Sequence, residues 1–273
     1  MLGHVFKRIV VGWDGTPSSE TALDWALRHG PEIPIVLMSA ATRGDSSFDQ
    51  DQIETVMARQ PSGRRQDVEN RSVIGPPDEV LAEFLLPGTL IVVGTPAHKR
   101  GSRWSLGARL AGRHGGGTVA VIPPHAGGGD DLPVVVGIDG SAASSAAVEV
   151  AADEARRRGA PLEILHAWHP PSTWRPVFGD TAADLEVFAS MHRTVLDEAM
   201  SHARRLGVEC TGRLERGDAV QLLSKEGRAA SLLVVASHGY GPLRRFFLGS
   251  VSVTLLLDPP CPVLVVTEVL AHE

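Results

Sequence analysis

Short apolar runs alternate with stretches of helical periodicity along the whole chain. The runs are Ile9–Val11, Ile35–Met38, Arg71–Ile74, Leu90–Val93 and Val119–Ile122, then Val134–Val136, Leu162–His166, Cys210–Leu214, Leu232–Val235 and Val263–Val266. Most are unbroken Val, Ile and Leu, the pattern of strands buried on both faces in a parallel sheet covered by helices. Thr16-Pro17 and Ser141 mark helix starts, because a hydroxyl caps free amides and proline fits a first turn. Leu185, Phe188, Ala189, His192, Leu196, Ala199 and Ala203 form one stripe, which predicts a long amphipathic helix over Thr181–Leu206.

The pattern occurs twice. Ile9-Val10-Val11-Gly12-Trp13-Asp14-Gly15-Thr16 returns as Val134-Val135-Val136-Gly137-Ile138-Asp139-Gly140-Ser141, an offset of 125. Leu90–Thr95 returns as Leu232–Ser237 at an offset of 142, which also matches Gly75 to Gly217 and Gly107 to Gly249. The second copy is thus longer by 17 residues, the difference between 142 and 125, largely within Trp168–Arg205. Pro123 to Asp131 has the Pro- and Gly-rich composition of a linker. The expected fold is two tandem doubly wound α/β domains, 1–126 and 132–273, each a five-stranded parallel sheet flanked by helices. The last strands, Val119–Ile122 and Val263–Val266, lack the charges that blunt an exposed edge, so they are expected to pair with each other.

Composition narrows the function. Of the 273 residues 43% are hydrophobic and 21% charged, which excludes a mostly disordered chain. No run approaches the ~18 apolar residues of a spanning helix. The start lacks a signal peptide's long apolar segment, and Cys210 and Cys261 are too few for a disulfide framework. A cytoplasmic protein with no membrane partner is the expectation. Net charge is -6, with 13 basic and 13 acidic residues up to Ala126 and 13 basic and 19 acidic beyond it. Neither half offers a basic face, and one Tyr with 5% aromatics gives bases little to stack on, so no nucleic-acid partner is expected. Arg156-Arg157-Arg158 precedes Gly159 and reads as a solvated helix end, where cations suit the helix dipole.

Ligands of an open parallel sheet bind beyond the carboxyl ends of its strands, where strand order reverses. Two loops of each copy suit that place. One follows strand one and carries Asp14-Gly15 or Asp139-Gly140. The other follows strand four: Ala236-Ser237-His238-Gly239, then nine residues, then Gly249-Ser250-Val251-Ser252. Glycine lets backbone amides approach an anion, and a helix opening at Gly249-Ser250 would present its amino end to phosphate.

With these loops the chain resembles the universal stress proteins, in the tandem form common in actinobacteria, over nearly its whole length. Nucleotide-binding members carry Gly-x-x-Gly, nine residues, then Gly-Ser or Gly-Thr after strand four. The second copy matches with Ala236, Gly239, Gly249 and Ser250, departing once, at Ala236. Asp139 matches the strand-one acid, and His166-Ala167 the strand-two end near the adenine. The first copy matches with Gly94, Ala97, Gly107 and Ala108, with Asp14 as the acid and Gly15 and Ala40 as further candidate binding residues. It departs at Ala97 and Ala108. The resemblance implies an adenine nucleotide alpha-hydrolase-like fold and a regulatory stress-response module that binds ATP with Mg, more weakly or not at all in the first domain. It further implies pairing through the last strands, here within one chain, and leaves a homodimer open. A nucleotide-free interaction dimer and a cyclic-AMP-binding protein are the alternatives.

Other chemistries fit less well. His166 and His169 stand close, but a zinc site needs three or four converging ligands, so no metal site is expected on them. Lys7, Lys99 and Lys225 complete no phosphate-binding Walker loop, and no Gly-x-Ser-x-Gly elbow occurs. No general base or arginine finger is placed for efficient phosphoryl transfer, so no catalytic residue is assigned and a slow ATPase is the upper bound. His98, Lys99, Arg100 and Arg103 in the first copy read first as a solvated loop and otherwise as partners for phosphate; Arg244 and Arg245 in the second either reach the terminal phosphates or point to water. Trp25 and Trp168 read as packing residues.

Overall fold

The computed structural model describes residues 5–30, 32–41, 54–55, 58, 67–95, 105–113, 116–124, 131–170, 182–237 and 248–267. Ala97, Gly239, the loop cations His98 to Arg103, Arg244 and Arg245, and linker residues 125–130 lie outside them. The first half contains β1 (Arg8–Trp13), α1 (Pro17–His29), β2 (Ile35–Ala41), β3 (Val68–Ile74), α2 (Pro77–Ala82), β4 (Thr89–Gly94), α3 (Leu106–Ala111) and β5 (Thr118–Ile122). The second contains β6 (Val134–Ile138), α4 (Ala142–Arg158), β7 (Leu162–Trp168), α5 (Ala182–Arg205), β8 (Cys210–Arg216), α6 (Ala219–Gly227), β9 (Leu232–Ala236), α7 (Ser250–Leu257) and β10 (Val263–Val266).

The strands form one sheet in the order β3-β2-β1-β4-β5-β10-β9-β6-β7-β8. Within each half every pairing is parallel, and β5 meets β10 antiparallel at the centre. Each half is therefore doubly wound, and its order reverses beside β1 or β6. The continuous Val/Ile/Leu runs follow from burial on both faces: one core layer holds Ile9, Val11, Leu90, Val134, Val136 and Leu264, the other Val10, Ile91, Val135, Leu233 and Val263. Both layers run through the two halves without a break.

The capping signals act as their chemistry dictates. The Thr16 hydroxyl accepts the Ser19 amide at 3.4 Å, and the Ser141 hydroxyl accepts the Ser144 amide at 3.1 Å. The turns before them need a left-handed residue, supplied by Gly15 at φ 71° and Gly140 at φ 82°.

The triple-arginine run departs from its sequence reading. Arg157 and Arg158 are largely buried and both approach Glu154, whose side chain is 1% exposed. They close α4 against His29 of the first half, so these two arginines make an internal contact, while Arg156 stays exposed as the solvated reading expects.

Candidate functional site

The strand-order reversal of the second half opens a cavity of about 330 Å³. Its walls come from β6 (Gly137, Ile138), the turn residue Asp139, Ser144 of α4, β7 (Leu165, Ala167), α6 (Ala219, Leu223), β9 (Val235, Ala236) and the start of α7, Gly249 to Ser252. One wall is apolar and broad. The opposite rim is polar, with the carboxylate of Asp139 and the amino end of α7.

Local bonding explains how each polar group is held. Asp139 Oδ1 accepts the Ser141 amide at 2.9 Å, which locks the turn. Gly249 caps α7 without a side-chain hydrogen bond, and its own amide donates to the Ser237 carbonyl at 2.7 Å. The first intrahelical bond runs from the Val253 amide to the Gly249 carbonyl. The amides of Ser250, Val251 and Ser252 consequently have no acceptor inside the helix. The Ser252 hydroxyl donates to the Ala236 carbonyl at 2.6 Å and ties α7 to the end of β9.

Of the candidate residues, Asp139, Ala167, Ala236, Gly249, Ser250, Val251 and Ser252 are brought together around this cavity, and Gly140 makes the adjoining turn. Strand alternation separates His166 from Ala167. His166 is buried on the opposite face, with Nδ1 2.8 Å from the Ile138 carbonyl and Nε2 2.8 Å from His192 Nδ1. His192 also stacks on Trp168, and burial together with His166 and His169 lowers its pKa. His166 therefore pairs with His192 on α5, not with its sequence neighbour His169. Among the described residues, no three His, Cys, Asp or Glu side chains converge in a way that would hold a metal.

The first half is built differently at the matching positions. Asp14 Oδ1 accepts the Thr16 amide at 3.1 Å and its hydroxyl at 2.6 Å, which repeats the Asp139 turn beside Gly15. At Gly94, however, the first turn of α1 lies directly on the strand end, and a Cβ there would collide with the Ser18 carbonyl. The Ser18 hydroxyl donates to the Thr95 carbonyl at 2.7 Å and fastens the contact. Ala236 carries a real Cβ at the equivalent place and lines the cavity instead. Gly107 and Ala108 also part from Gly249 and Ser250. Ser105 caps α3, so Gly107 sits inside the helix against Val121 and Ala108 is fully buried, its amide donating to the Ser105 hydroxyl at 3.2 Å. The helix starts earlier because it has a capping serine that the second copy lacks at the equivalent Phe247. Ala40 lies at the end of β2, as Ala167 does near the end of β7.

Leu165, Ala219, Leu223, Val235 and Ser144 line the cavity without having been singled out in the sequence. Period-two alternation from Ala167 back to Leu165 was the available signal for one of them.

The fold and crevice define a doubly wound α/β protein with a switch-point cavity facing a helix amino end. The chain belongs to the universal stress protein family. The model of that family matches residues 132–267. A universal stress protein of Mycolicibacterium smegmatis is 30% identical over 286 residues, covering 94% of this chain and 96% of the relative. A universal stress protein structure from Archaeoglobus fulgidus shares the fold with a TM-score of 0.61, at 19% identity and 96% coverage of each chain. Another similar structure, 30% identical over 50% of this chain and 97% of its own, with a TM-score of 0.40, is a universal stress protein in complex with cAMP.

Proposed function

We propose that the chain is a nucleotide-dependent regulatory module that holds ATP with Mg in the crevice of its second domain, 132–273, while the domain 1–126 binds nucleotide weakly or not at all. The observation that carries this reading is the amino end of α7, whose uncapped amides open into a cavity with an apolar wall. Free amides and the helix dipole suit phosphate, and the wall of Leu165, Ala167, Leu223 and Val235 suits a base or ribose.

Asp139 favours a polyphosphate over a cyclic monoester. A carboxylate sharing a cavity with a phosphate site repels the anion unless a cation stands between them. One carboxylate with phosphate oxygens and water is a usual Mg donor set. Asp139 fits it, because Oδ1 is engaged by the Ser141 amide while Oδ2 accepts no hydrogen bond from the described residues. Asp139 would hold the Mg, and the Mg would supply charge neutralisation to the phosphates. Turnover, if any, stays far below the ~10 s⁻¹ median of enzymes.

Calorimetric titration of the purified chain with ATP, in the presence and absence of Mg, and with cyclic AMP tests this reading. Mg-dependent ATP binding supports it. Tighter, Mg-independent binding of cyclic AMP replaces ATP with a cyclic nucleotide. No binding of either leaves a nucleotide-free interaction protein.

A further inference from the structure

In a pair of identical subunits, residues on the twofold axis meet their own copies, so each must be self-complementary. A duplicated chain escapes that constraint, because its halves can carry different residues at equivalent positions. Two equivalent positions face each other here. In the central ladder Ala120 stands opposite Leu264. Ala120 lies beside Val92 and Leu264 beside Val234, which match at the offset of 142, so they are one position of the repeat. The second pair is His29 and Glu154, each thirteen residues beyond its helix cap, Thr16 or Ser141.

Both pairs are complementary and unlike. Ala120 opposite Leu264 sets a small side chain against a large one on the same core face. His29 Nε2 lies 3.0 Å from Glu154 Oε1, and both side chains are 1% exposed. Arg158 Nη2 lies 2.8 Å from His29 Nδ1, and Arg157 Nη2 lies 2.5 Å from Glu154 Oε2. Trp25 stacks on the imidazole with ring centres 4.0 Å apart. A neutral imidazole carries one N–H and one lone pair, and here its two nitrogens stand beside a carboxylate and a guanidinium. Burial holds His29 in that neutral form, with its pKa lowered to about 4.

We propose that these unlike pairs on the pseudo-twofold axis make the central interface selective for a first half against a second half, and disfavour like pairing. Two second halves would set Leu264 on Leu264 and gather two Glu154 with four arginines. Two first halves would set Ala120 on Ala120, leaving a void, and His29 on His29 without a carboxylate or guanidinium from α4. Either mismatch lowers affinity relative to the native pair, which is how partner choice is encoded. Buried ionic groups add little net stabilisation, and their best-attested use is to fix register and assembly state.

The test replaces residues 125–130 of the full chain with a protease site. Two cleaved preparations of different isotopic mass are mixed, and native mass spectrometry counts like and unlike pairs after exchange. The ratio of unlike to like pairs should exceed the statistical one to one by about tenfold or more, and Leu264→Ala or Glu154→Gln should lower that ratio. A statistical mixture of like and unlike pairs overturns the proposal. In the uncut chain, Ala120→Leu and Leu264→Ala should each lower Tm, and the double exchange should recover most of the loss. Strictly additive losses would show that the two residues do not complement each other.

Discussion

Gly249→Asp separates the ligand from the fold at the amino end of α7. Gly249 has φ −58°, which any residue adopts, and an added Cβ would lie 3.3 Å from the Ser237 carbonyl oxygen and 3.8 Å from the Ser252 hydroxyl. The contact with Ser237 is tight but yields with a shift of a few tenths of an ångström. Aspartate is also a better cap than glycine by a few tenths of a kcal/mol, and its charge complements the dipole by about 0.3–1 kcal/mol. Stability should hold or rise slightly, by circular dichroism and thermal melting. Binding should behave oppositely, since the new carboxylate takes the amides a phosphate needs. Charge-assisted hydrogen bonds contribute about 1.5–3 kcal/mol each. Losing two weakens Mg-ATP binding by at least about a hundredfold, read by calorimetry. Gly249→Ala, which keeps every amide, should cost far less. Wild-type affinity in the folded Gly249→Asp variant would refute the assignment of phosphate to this helix end.

Three further outcomes follow from the same geometry. Asp139→Ala should remove the thermal stabilisation given by Mg-ATP while Asp14→Ala leaves it, and the reverse ranking would place the tighter site in the first half. Gly94→Ala should destabilise the chain by about 2–4 kcal/mol in chemical denaturation, because its Cβ meets the Ser18 carbonyl; an unchanged midpoint would mean that α1 stands off β4. His29 is held neutral, with its pKa lowered from 6.5 to about 4, so the unfolded chain binds a proton that the folded chain refuses. Stability is therefore complete above pH 6.5 and falls as pH drops toward 4, by on the order of 3 kcal/mol from this residue. His29→Gln should flatten that slope, and an unaltered profile would contradict the buried neutral state.

Much of the fold is legible in local chemistry. Unbroken Val/Ile/Leu runs mark central strands, and Thr16 and Ser141 mark helix starts, because strand burial and end-capping act within a few residues. Gly75 and Gly217, matched by the repeat, adopt the same φ, 158° and 159°. What stays hidden depends on residues far apart in the chain. Arg157 and Arg158 read as solvent-facing because a helix end is normally wet; only the arrival of His29, from 128 residues earlier in the chain than Arg157, buries them. The repeat also misleads at Gly107, since sequence offset tracks ancestry while helix position follows the nearest capping hydroxyl, Ser105. The cavity's polar residues could be found from loop patterns. Its apolar wall could not, because Leu223 and Val235 resemble every other core residue until α6 and β9 are placed side by side.

One crevice, in the second half, is where we propose the phosphates of a nucleotide sit, at the amino end of α7. A crystal structure of the chain grown with Mg-ATP would decide it. Phosphate oxygens should lie at hydrogen-bond distance, ~2.7–3.2 Å, from the amides of Ser250 to Ser252, with the metal beside Asp139 and the base against Leu165 and Ala167. Nucleotide seated only in the first half, or with its phosphates turned away from α7, would contradict it.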